Sequence, residues 1–330
     1  MKKVVLSGIK PTGIAHIGNY FGALKPAVEM ANNNEYECYY FIADYHALNY
    51  IKNSKELQEN TKALVCTLLA IGMDAKNIVL YKQSDVPEVT ELNWILSNVT
   101  PKGLLNRAHA YKAKVEEATV NGQDPDALVN MGLYNYPVLM AADILMVNSN
   151  FVPVGQDQKQ HVEMARDIAG YFNKTYGANF VVPKEIISKD LGTIAGTDGR
   201  KMSKSYNNTI PLFAPEDKLK KLIMSIKTDS SLPTEPKPLD SAVMNLFKLF
   251  ATAKEYETEK AKYENGLSWA EAKTDLFNMM NNYLSPMREK YNYYMENYAE
   301  AEKILARGAK KVQAVARETL QRTRIAVGID

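Results

Sequence analysis

Two segments of the chain combine residue types that bind polyphosphates. Residues 7–20 read SGIKPTGIAHIGNY, which places three glycines and the imidazole of His16 close together. Residues 201–205 read KMSKS, which places two lysines and two hydroxyls within five positions. Ammonium groups, hydroxyls and an imidazole N–H all donate to phosphate oxygens. The two segments therefore indicate an anion site, with residues 201–205 acting as a mobile clamp.

The elements around the first segment suit that role. The apolar run at residues 3–6 predicts a buried strand, and apolar residues recur at helical spacing over residues 20–30. A helix N-terminus presents unpaired N–H groups and a partial positive charge. Gly8, Gly13 and Gly18 let a flat ligand approach the backbone. Neither the P-loop pattern nor Gly-x-Gly-x-x-Gly occurs, so on spacing alone a purely structural turn remains an equal alternative.

Polar residues follow two further predicted strands at the end where open α/β sheets bind ligands. His46 comes soon after the apolar run at residues 38–43, and Asp157 and Gln158 follow the run at residues 151–154. Asp157 could accept from ribose hydroxyls, and Gln158 could bind an amino or carboxylate group. For His46, a local hydrogen-bonding role stays open as the alternative.

One carboxylate interrupts an otherwise apolar helix predicted at residues 138–147. Asp143 is the one charged residue of that stretch, and burying it unpaired costs on the order of several kcal/mol. Either a structural partner or a donor from a ligand must therefore satisfy it. Tyr136, Met140 and Asp143 have i, i+4, i+7 spacing and share one face if the helix includes Tyr136.

The alternation of strands and helices predicts an α/β fold with a doubly wound parallel sheet. A further strand is predicted at residues 78–81, and helices are predicted at residues 54–72, with Ser54 as N-cap, and at residues 86–99. The basic stretch at residues 102–114 is predicted to be a solvated loop. After residue 205 helices are predicted at residues 216–226, 239–253, 269–281, 287–298 and 300–326, with Pro-rich breaks between residues 232 and 238.

Composition leaves the partner open. The chain has 330 residues, 46% of them hydrophobic, and a net charge of +2, which neither requires nor excludes nucleic acid. Residues 301–330 carry seven Lys or Arg against three acids, which suits either a phosphate backbone or a solvated helix face. Cys38 and Cys66 lie in apolar contexts, which predicts reduced core residues and no structural zinc. We expect a cytoplasmic protein without a membrane span or signal segment.

The motifs carry a resemblance to a known family. Pro-x-Gly-x-x-His-x-Gly-Asn followed by Lys-Met-Ser-Lys-Ser resembles the two signatures of class I aminoacyl-tRNA synthetases, with Asn19 where many have a second His. YPVLMAADIL at residues 136–145 and VPVGQDQKQH at residues 152–161 are similar to the bacterial tryptophanyl-tRNA synthetase family. The resemblance runs over nearly the whole chain. Tyrosyl-tRNA synthetases share the fold and both signatures, but usually carry Gln where Met140 stands.

The resemblance implies a tryptophan site. Asp143 would accept the indole N–H, while Leu6, Gly8 and Met140 would shape an apolar slot for the ring. Tyr136, Gln158 and His46 would hold the amino and carboxylate ends of the amino acid.

It also implies an ATP site. His16 and Asn19 would bind phosphates, Gly18 would let adenine lie close, and Asp157 would take the ribose. Lys114, Lys201 and Lys204, with His16, would be the catalytic groups that gather the phosphates together with Mg²⁺. The other implied ATP contacts are Lys10, Thr12, Gly155, Met202, Ser203 and Ser205. Two positions depart from the family pattern: Lys10 stands where many members carry Gln, and Tyr206-Asn207-Asn208 stands where others carry Asp-Pro.

The implied architecture is a Rossmann-like catalytic domain at residues 1–206 and a helical anticodon-binding region at residues 207–330. Whether the final helices of the first domain come from the C-terminal end of the chain is left open. The implied reaction activates L-tryptophan with ATP to give tryptophanyl-adenylate and pyrophosphate, and then transfers tryptophan to the 3′ end of tRNA(Trp), in a homodimer. Three alternatives stay open: a tyrosyl-tRNA synthetase, a nucleotidyltransferase that uses no tRNA, and a non-enzymatic RNA-binding paralogue. The last should have lost ATP-site residues, whereas His16, Asp157, Lys201 and Lys204 are all present.

Overall fold

A five-stranded parallel sheet forms the centre of the structure, a computed structural model that describes residues 2–32, 35–73, 78–187 and 193–330. Its strand order is β3-β2-β1-β4-β5, and every neighbouring pair is parallel. The strands are β1 Lys3–Ile9, β2 Tyr36–Ile42, β3 Ile78–Lys82, β4 Phe151–Val154 and β5 Lys184–Ile187. The predicted α/β class and four of these strands are confirmed. β5 was not predicted, because four residues at a half-exposed sheet edge carry little hydrophobic pattern.

The order of the strands creates a crevice beside β1. The chain runs outward from β1 through β2 to β3 and then crosses back to place β4 on the other side of β1. Ligands of open α/β sheets bind at the carboxyl ends of the strands where this reversal occurs. The residues that follow Ile9 and Val154 therefore meet at one edge of the sheet.

The helices lie on both sides of the sheet and in a C-terminal cluster. Their bounds are α1 Ile17–Asn19, α2 Lys25–Asn32, α3 Asp44–Ala47, α4 Ser54–Ala70, α5 Glu88–Ser97, α6 Lys102–Leu105, α7 His109–Val120, α8 Met131–Met146, α9 Lys159–Tyr176, α10 Glu216–Met224, α11 Ala242–Phe250, α12 Ala253–Asn265, α13 Trp269–Glu296 and α14 Tyr298–Val327. A π-helical turn, Tyr20–Leu24, joins α1 to α2, and short 3₁₀ turns occupy Gln83–Asp85, Gln156–Gln158 and Lys204–Tyr206.

Alternate residues of the strands enter two separate cores. Val5, Tyr40 and Leu80 pack with α4 and the C-terminal helices on one face, whereas Leu6 and Phe41 pack with α5, α8 and α9 on the other. Both faces are therefore buried, as expected for a parallel sheet. Cys38 and Cys66 are buried free thiols, which confirms their prediction as reduced core residues.

The last helix packs back onto the sheet. A Cβ on Gly308 would lie 1.9 Å from the carbonyl oxygen of Leu80, so only glycine allows α14 to approach β3 this closely. Gln313 Nε2 donates to the Asp85 carbonyl at 2.7 Å, and Arg324 Nε lies 2.5 Å from Glu91 Oε1. The C-terminal helix thus completes the layer that covers the strands, although the strands lie far from it in the sequence.

Three local predictions were wrong. Residues 102–114 are not a loop but form α6 and part of α7. The N-cap of α4 is Asn53, whose Oδ1 accepts from Glu56 N at 3.1 Å. α13 runs continuously through Pro286, since Asn282 is exposed and water can satisfy the carbonyl that Pro286 leaves without a donor.

No helix among the described residues has the length and apolar character needed to cross a membrane.

Candidate active site

His16 begins the helix that follows β1. Its Nδ1 accepts from Asn19 N at 3.3 Å, and its own N–H donates to Asn19 Oδ1 at 3.1 Å, so the two residues form a capping box. The imidazole is 8% exposed, and burial together with the Lys204 ammonium lowers the pKa of His16 to about 4. A neutral imidazole that accepts at Nδ1 carries its proton on Nε2. Nε2–H is therefore the donor available to a phosphate oxygen.

The imidazole of His16 occupies space that is open only because Gly18 has no side chain. A Cβ at Gly18 would lie 3.0 Å from both Nδ1 and Cε1 of His16. Gly18 N also donates to Met202 Sδ at 3.4 Å, which connects the start of α1 to the lysine-containing loop. The absent side chain of Gly18 therefore leaves room for His16, a reason that the sequence did not reveal.

The two signature segments lie together. Lys204 Nζ donates to the Thr12 carbonyl at 2.8 Å, so a catalytic candidate of one segment contacts the other. Ile17 N donates to the Ile210 carbonyl at 3.0 Å, which ties the start of α1 to the chain just after the loop. Met202 is buried, whereas Lys201 is exposed. The fold thus brings the two segments that the sequence predicts as an anion site into direct contact.

Asn208 holds the lysine-containing loop in shape. The residue is 2% exposed; its Oδ1 accepts from Ser203 N at 2.8 Å, and its Nδ2 donates to Asp198 Oδ1 at 2.7 Å and to the Lys201 carbonyl at 3.1 Å. Ser203 Oγ in turn accepts from Ser205 N at 3.3 Å. Sequence reasoning noted Asn208 only as a departure from the family pattern.

Asp143 is buried and already has two partners. Its carboxylate is 2% exposed; Oδ2 lies 2.9 Å from His46 Nε2, and Gln83 Nε2 lies 2.9 Å from both oxygens. Burial raises the pKa of Asp143, while the hydrogen bonds and charge of His46 and the amide of Gln83 oppose that rise. Gln83 was missed by sequence reasoning; its position directly after β3 was the available signal. A carboxylate has about four lone-pair sites, so Asp143 can still accept a further donor.

The residues predicted for the apolar slot lie in the core between the sheet and α8, the helix that carries Asp143. Leu6 is 1% exposed, and Met140 packs half-buried against the same core. A Cβ on Gly8 would lie 2.4–2.9 Å from ring carbons of Phe41. In this structure, therefore, the backbone of Gly8 is covered by Phe41, which sequence reasoning did not name.

A second hydrogen-bonded group connects α8 to the turn after β4. Tyr136 OH lies 2.5 Å from His161 Nε2, His161 Nδ1 lies 2.9 Å from Gln158 Oε1, and Gln158 Nε2 donates to Asp157 Oδ2 at 2.8 Å. Sequence reasoning proposed Tyr136, Gln158 and Asp157, and the structure brings all three together. It missed His161, which the sequence shows three residues after Gln158 at helical spacing.

Lys10 lies beside this group. Its Nζ is 5.4 Å from the centre of the Tyr50 ring and 5.9 Å from that of Tyr136. Desolvation of the ammonium lowers the pKa of Lys10, and the Asp157 carboxylate opposes that shift. A lysine ammonium therefore stands just after β1, close to Tyr136.

Some predicted residues have other contacts. Lys114 forms an ion pair with Glu117 on its own helix, at 2.6 Å. A Cβ on Gly155 would lie 2.7 Å from Asp157 Oδ1, so the glycine makes room for that carboxylate.

A cavity of about 360 Å³ next to Ala195 and Gly199 is lined by none of the predicted site residues.

The chain is similar in sequence and in fold to proteins of known function. Residues 2–285 match the family described as tRNA synthetases class I (W and Y). The tryptophan–tRNA ligase of Neisseria meningitidis serogroup A is 48% identical over 330 residues, which cover 99% of this chain and 98% of that protein. The corresponding ligase of Pseudomonas aeruginosa is 47% identical over 329 residues, which cover 98% of this chain and 73% of that protein. The crystal structure of tryptophanyl-tRNA synthetase from Campylobacter jejuni complexed with ADP and tryptophan superposes with a TM-score of 0.90 at 40% identity, covering 98% of this chain and 99% of that one.

Proposed function

This chain belongs to the class I tRNA synthetases of the tryptophan and tyrosine family, and from that premise we propose which residues carry each step of its reaction. It is an ATP-dependent tryptophan–tRNA ligase, which activates L-tryptophan as the adenylate and then transfers it to tRNA(Trp). The observation that carries the assignment of residues is the buried Asp143 carboxylate, held by His46 and Gln83 on a helix that has no other charged residue.

Asp143 is the group that selects tryptophan. The indole nitrogen is a donor only, and a carboxylate is an acceptor only, so the two are complementary. Phenylalanine offers no donor, and its binding would leave the polar site without a partner, which is strongly unfavourable. Because His46 Nε2 contacts Asp143, we assign His46 to orienting that carboxylate rather than to the ends of the amino acid.

We assign the binding of the amino and carboxylate groups of tryptophan to Tyr136 and Gln158. Tyr136 donates its hydroxyl proton within the protein and keeps oxygen lone pairs for an ammonium group. Gln158 uses one amide hydrogen on Asp157 and keeps the other for a carboxylate. Lys10 adds a positive charge near Tyr136, where it attracts the substrate carboxylate or the α-phosphate of ATP.

The chemistry needs positioning and charge stabilisation. The tryptophan carboxylate is ionised at neutral pH, so it attacks the α-phosphorus without a general base, and pyrophosphate leaves in line. Developing negative charge on the phosphates is stabilised by Nε2–H of His16 and by the ammonium groups of Lys201 and Lys204. Lys114 joins them only if its ion pair with Glu117 opens when ATP binds.

Mg²⁺ enters with the nucleotide. No group of three or more His, Cys, Asp or Glu is placed to hold a metal in the described part of the chain. Phosphate oxygens are ligands that Mg²⁺ prefers, and it commonly keeps several waters. The residues therefore fit a metal that is bound through ATP, where it neutralises phosphate charge.

The tRNA contact is supported by one face of α14. Lys303, Arg307, Lys310 and Lys311 are exposed and have the i, i+4, i+7, i+8 spacing of a single helical stripe. Phosphate contacts of this kind make binding strongly dependent on salt. We assign this stripe, with the helical region at residues 207–330, to tRNA, and its test is the salt dependence of charging.

A homodimer is supported by exposed apolar side chains on α5 and α8. Trp94 is 71% exposed and Met131 is 75% exposed. Asn135 Nδ2 donates to Asn93 Oδ1 at 3.2 Å, so α5 and α8, which carry these two exposed residues, lie side by side. Sedimentation of the wild type and of Trp94→Glu tests whether this surface joins two copies.

ATP–pyrophosphate exchange tests the assignment directly. The reaction is run with tryptophan, with tyrosine and without amino acid, at fixed Mg²⁺. Exchange with tryptophan alone is the expected result, followed by charging of tRNA(Trp) in a separate assay. Exchange with tyrosine would mean that the role given to Asp143 is wrong, and no exchange would favour a non-enzymatic RNA-binding protein.

A further inference from the structure

We propose that His161 is a positioning residue that couples the tryptophan subsite to the ATP-ribose subsite. It stands at the centre of an unbroken hydrogen-bonded chain that runs from Tyr136 through His161 and Gln158 to Asp157. The inference rests on the proposed function, since the two ends of the chain are the residues assigned there to the amino acid and to the ribose.

The direction of each hydrogen bond follows from the groups involved. A glutamine that donates Nε2 to Asp157 presents its Oε1 to His161, and this oxygen can only accept. Nδ1 of His161 must therefore carry the proton, and Nε2 must accept from the Tyr136 hydroxyl. One protonation state of His161 thus sets the orientation of both neighbouring side chains.

Burial protects the centre of this hydrogen-bonded chain, whereas the Gln158–Asp157 bond is exposed. His161 is 5% exposed and Tyr136 is 8% exposed, so bulk water does not compete for the central hydrogen bonds. Burial, with the nearby Lys10 ammonium, lowers the pKa of His161 to about 4; His109 and His46 add to that shift and Asp157 opposes it. The imidazole is consequently neutral at pH 7, as the bond directions require.

The hydrogen-bonded chain couples ligand binding at one subsite to ligand binding at the other. With His161 accepting its proton, Tyr136 offers lone pairs to a substrate ammonium. At the other end, a ribose that donates to Asp157 orients the carboxylate that holds Gln158 in place. Because a ligand at either end fixes the orientation of the side chains along this hydrogen-bonded chain, the second ligand meets a subsite that is already ordered. Binding of the nucleoside and of tryptophan should therefore be mutually favourable, by the same factor in both directions.

The experiment measures that coupling with adenosine, which carries the ribose without phosphates. The dissociation constant of tryptophan is determined with and without saturating adenosine, for the wild type and for His161→Gln and His161→Asn. A glutamine amide oxygen can replace Nε2 as the acceptor for Tyr136, and an asparagine amide N–H can replace Nδ1 as the donor to Gln158. Each variant thus keeps one half of the chain and breaks the other.

We expect adenosine to tighten tryptophan binding at least about fivefold in the wild type, and less than about twofold in both variants. We also expect His161→Gln to bind tryptophan alone more tightly than His161→Asn does, because it keeps Tyr136 oriented. Gln160→Ala is the control: Gln160 lies beside His161 but bonds to His109 N and the Arg107 carbonyl, so its loss should leave the coupling unchanged.

Tyr136→Phe provides an independent test that leaves His161 in place. It removes the first hydrogen bond of the chain and should also bring the coupling below about twofold. Wild-type coupling retained by Tyr136→Phe or by both His161 variants would overturn the inference, as would a wild type without coupling that still catalyses tryptophan-dependent exchange. A wild type without such exchange would instead overturn the proposed function.

Discussion

Nε2 of His46 lies 2.9 Å from Oδ2 of Asp143, and both side chains are almost excluded from solvent. The imidazole is the donor, because an ionised carboxylate has only lone pairs to offer. Gln83 Nε2 donates to the same carboxylate and lies 2.9 Å from both of its oxygens. Asp143 is thus held in a fixed orientation before any ligand arrives, which is the pre-organisation that a specific recognition site needs.

Asp143→Asn should weaken tryptophan binding by about 10-fold to 100-fold, since a hydrogen bond to a charged group is worth about 1.5–3 kcal/mol. Equilibrium dialysis with labelled tryptophan measures the change. Asp167→Asn replaces a carboxylate by a carboxamide at an exposed position of α9. It is the control and should bind tryptophan as tightly as the wild type does. Unchanged affinity in Asp143→Asn would make Asp143 purely structural.

Lys204→Met should slow adenylate formation by about 100-fold or more, because it removes a charged donor to the phosphates. Tryptophan affinity should change by less than about twofold, since Lys204 contacts the Thr12 carbonyl and not the tryptophan subsite. Single-turnover formation of the adenylate and tryptophan dialysis separate the two effects. Lys218→Met, on the exposed face of α10, serves as the control. Equal losses in rate and in affinity would argue against a clamp on phosphate.

Gly18→Ala should raise the KM for ATP and lower the rate of exchange about tenfold, with tryptophan affinity retained. The added methyl group would press on the His16 ring at 3.0 Å and displace the phosphate donor. Gly22→Ala is a matched control, because nothing lies within 4 Å of a Cβ at Gly22. It should keep full activity and gain at most about 1 kcal/mol of stability, as alanine is the better helix former. Normal ATP kinetics in Gly18→Ala would mean that His16 tolerates the displacement.

The free energy of unfolding should fall as the pH drops from 6.5 to 4. His16 and His161 have a folded-state pKa of about 4, against 6.5 for an ordinary histidine, so the unfolded chain binds protons first in this range. The stability from keeping them neutral is complete above pH 6.5 and is lost as the pH approaches 4, on the order of 3 kcal/mol for each buried imidazole. Urea unfolding at pH 8, 6.5, 5 and 4 measures the slope. His16→Asn combined with His161→Asn should flatten it; an undiminished slope would contradict the pKa shifts.

Much of the fold followed from local pattern. Apolar runs such as residues 38–43 identified four strands because a buried parallel strand is apolar on both faces. β5 was not predicted because it is short and half-exposed. Ser54 was predicted as the N-cap of α4 in place of Asn53, because both residue types are good N-caps and they are adjacent in sequence. The packing of α14 on β3 was left open, since nothing near Gly308 in sequence indicates Leu80 as its neighbour.

The sequence by itself determined the family, the parallel sheet and the residue types of the site, since motif spacing and hydrophobic pattern are local properties of the chain. Only the tertiary structure decided which side chains are in contact. His46 and Gln83 bond to Asp143. His161 connects Tyr136 to Gln158. These pairs lie up to 97 residues apart along the chain, as for His46 and Asp143. Hydrogen bonds over such separations depend on how helices pack against the sheet, and burial then sets the protonation state on which the chemistry relies.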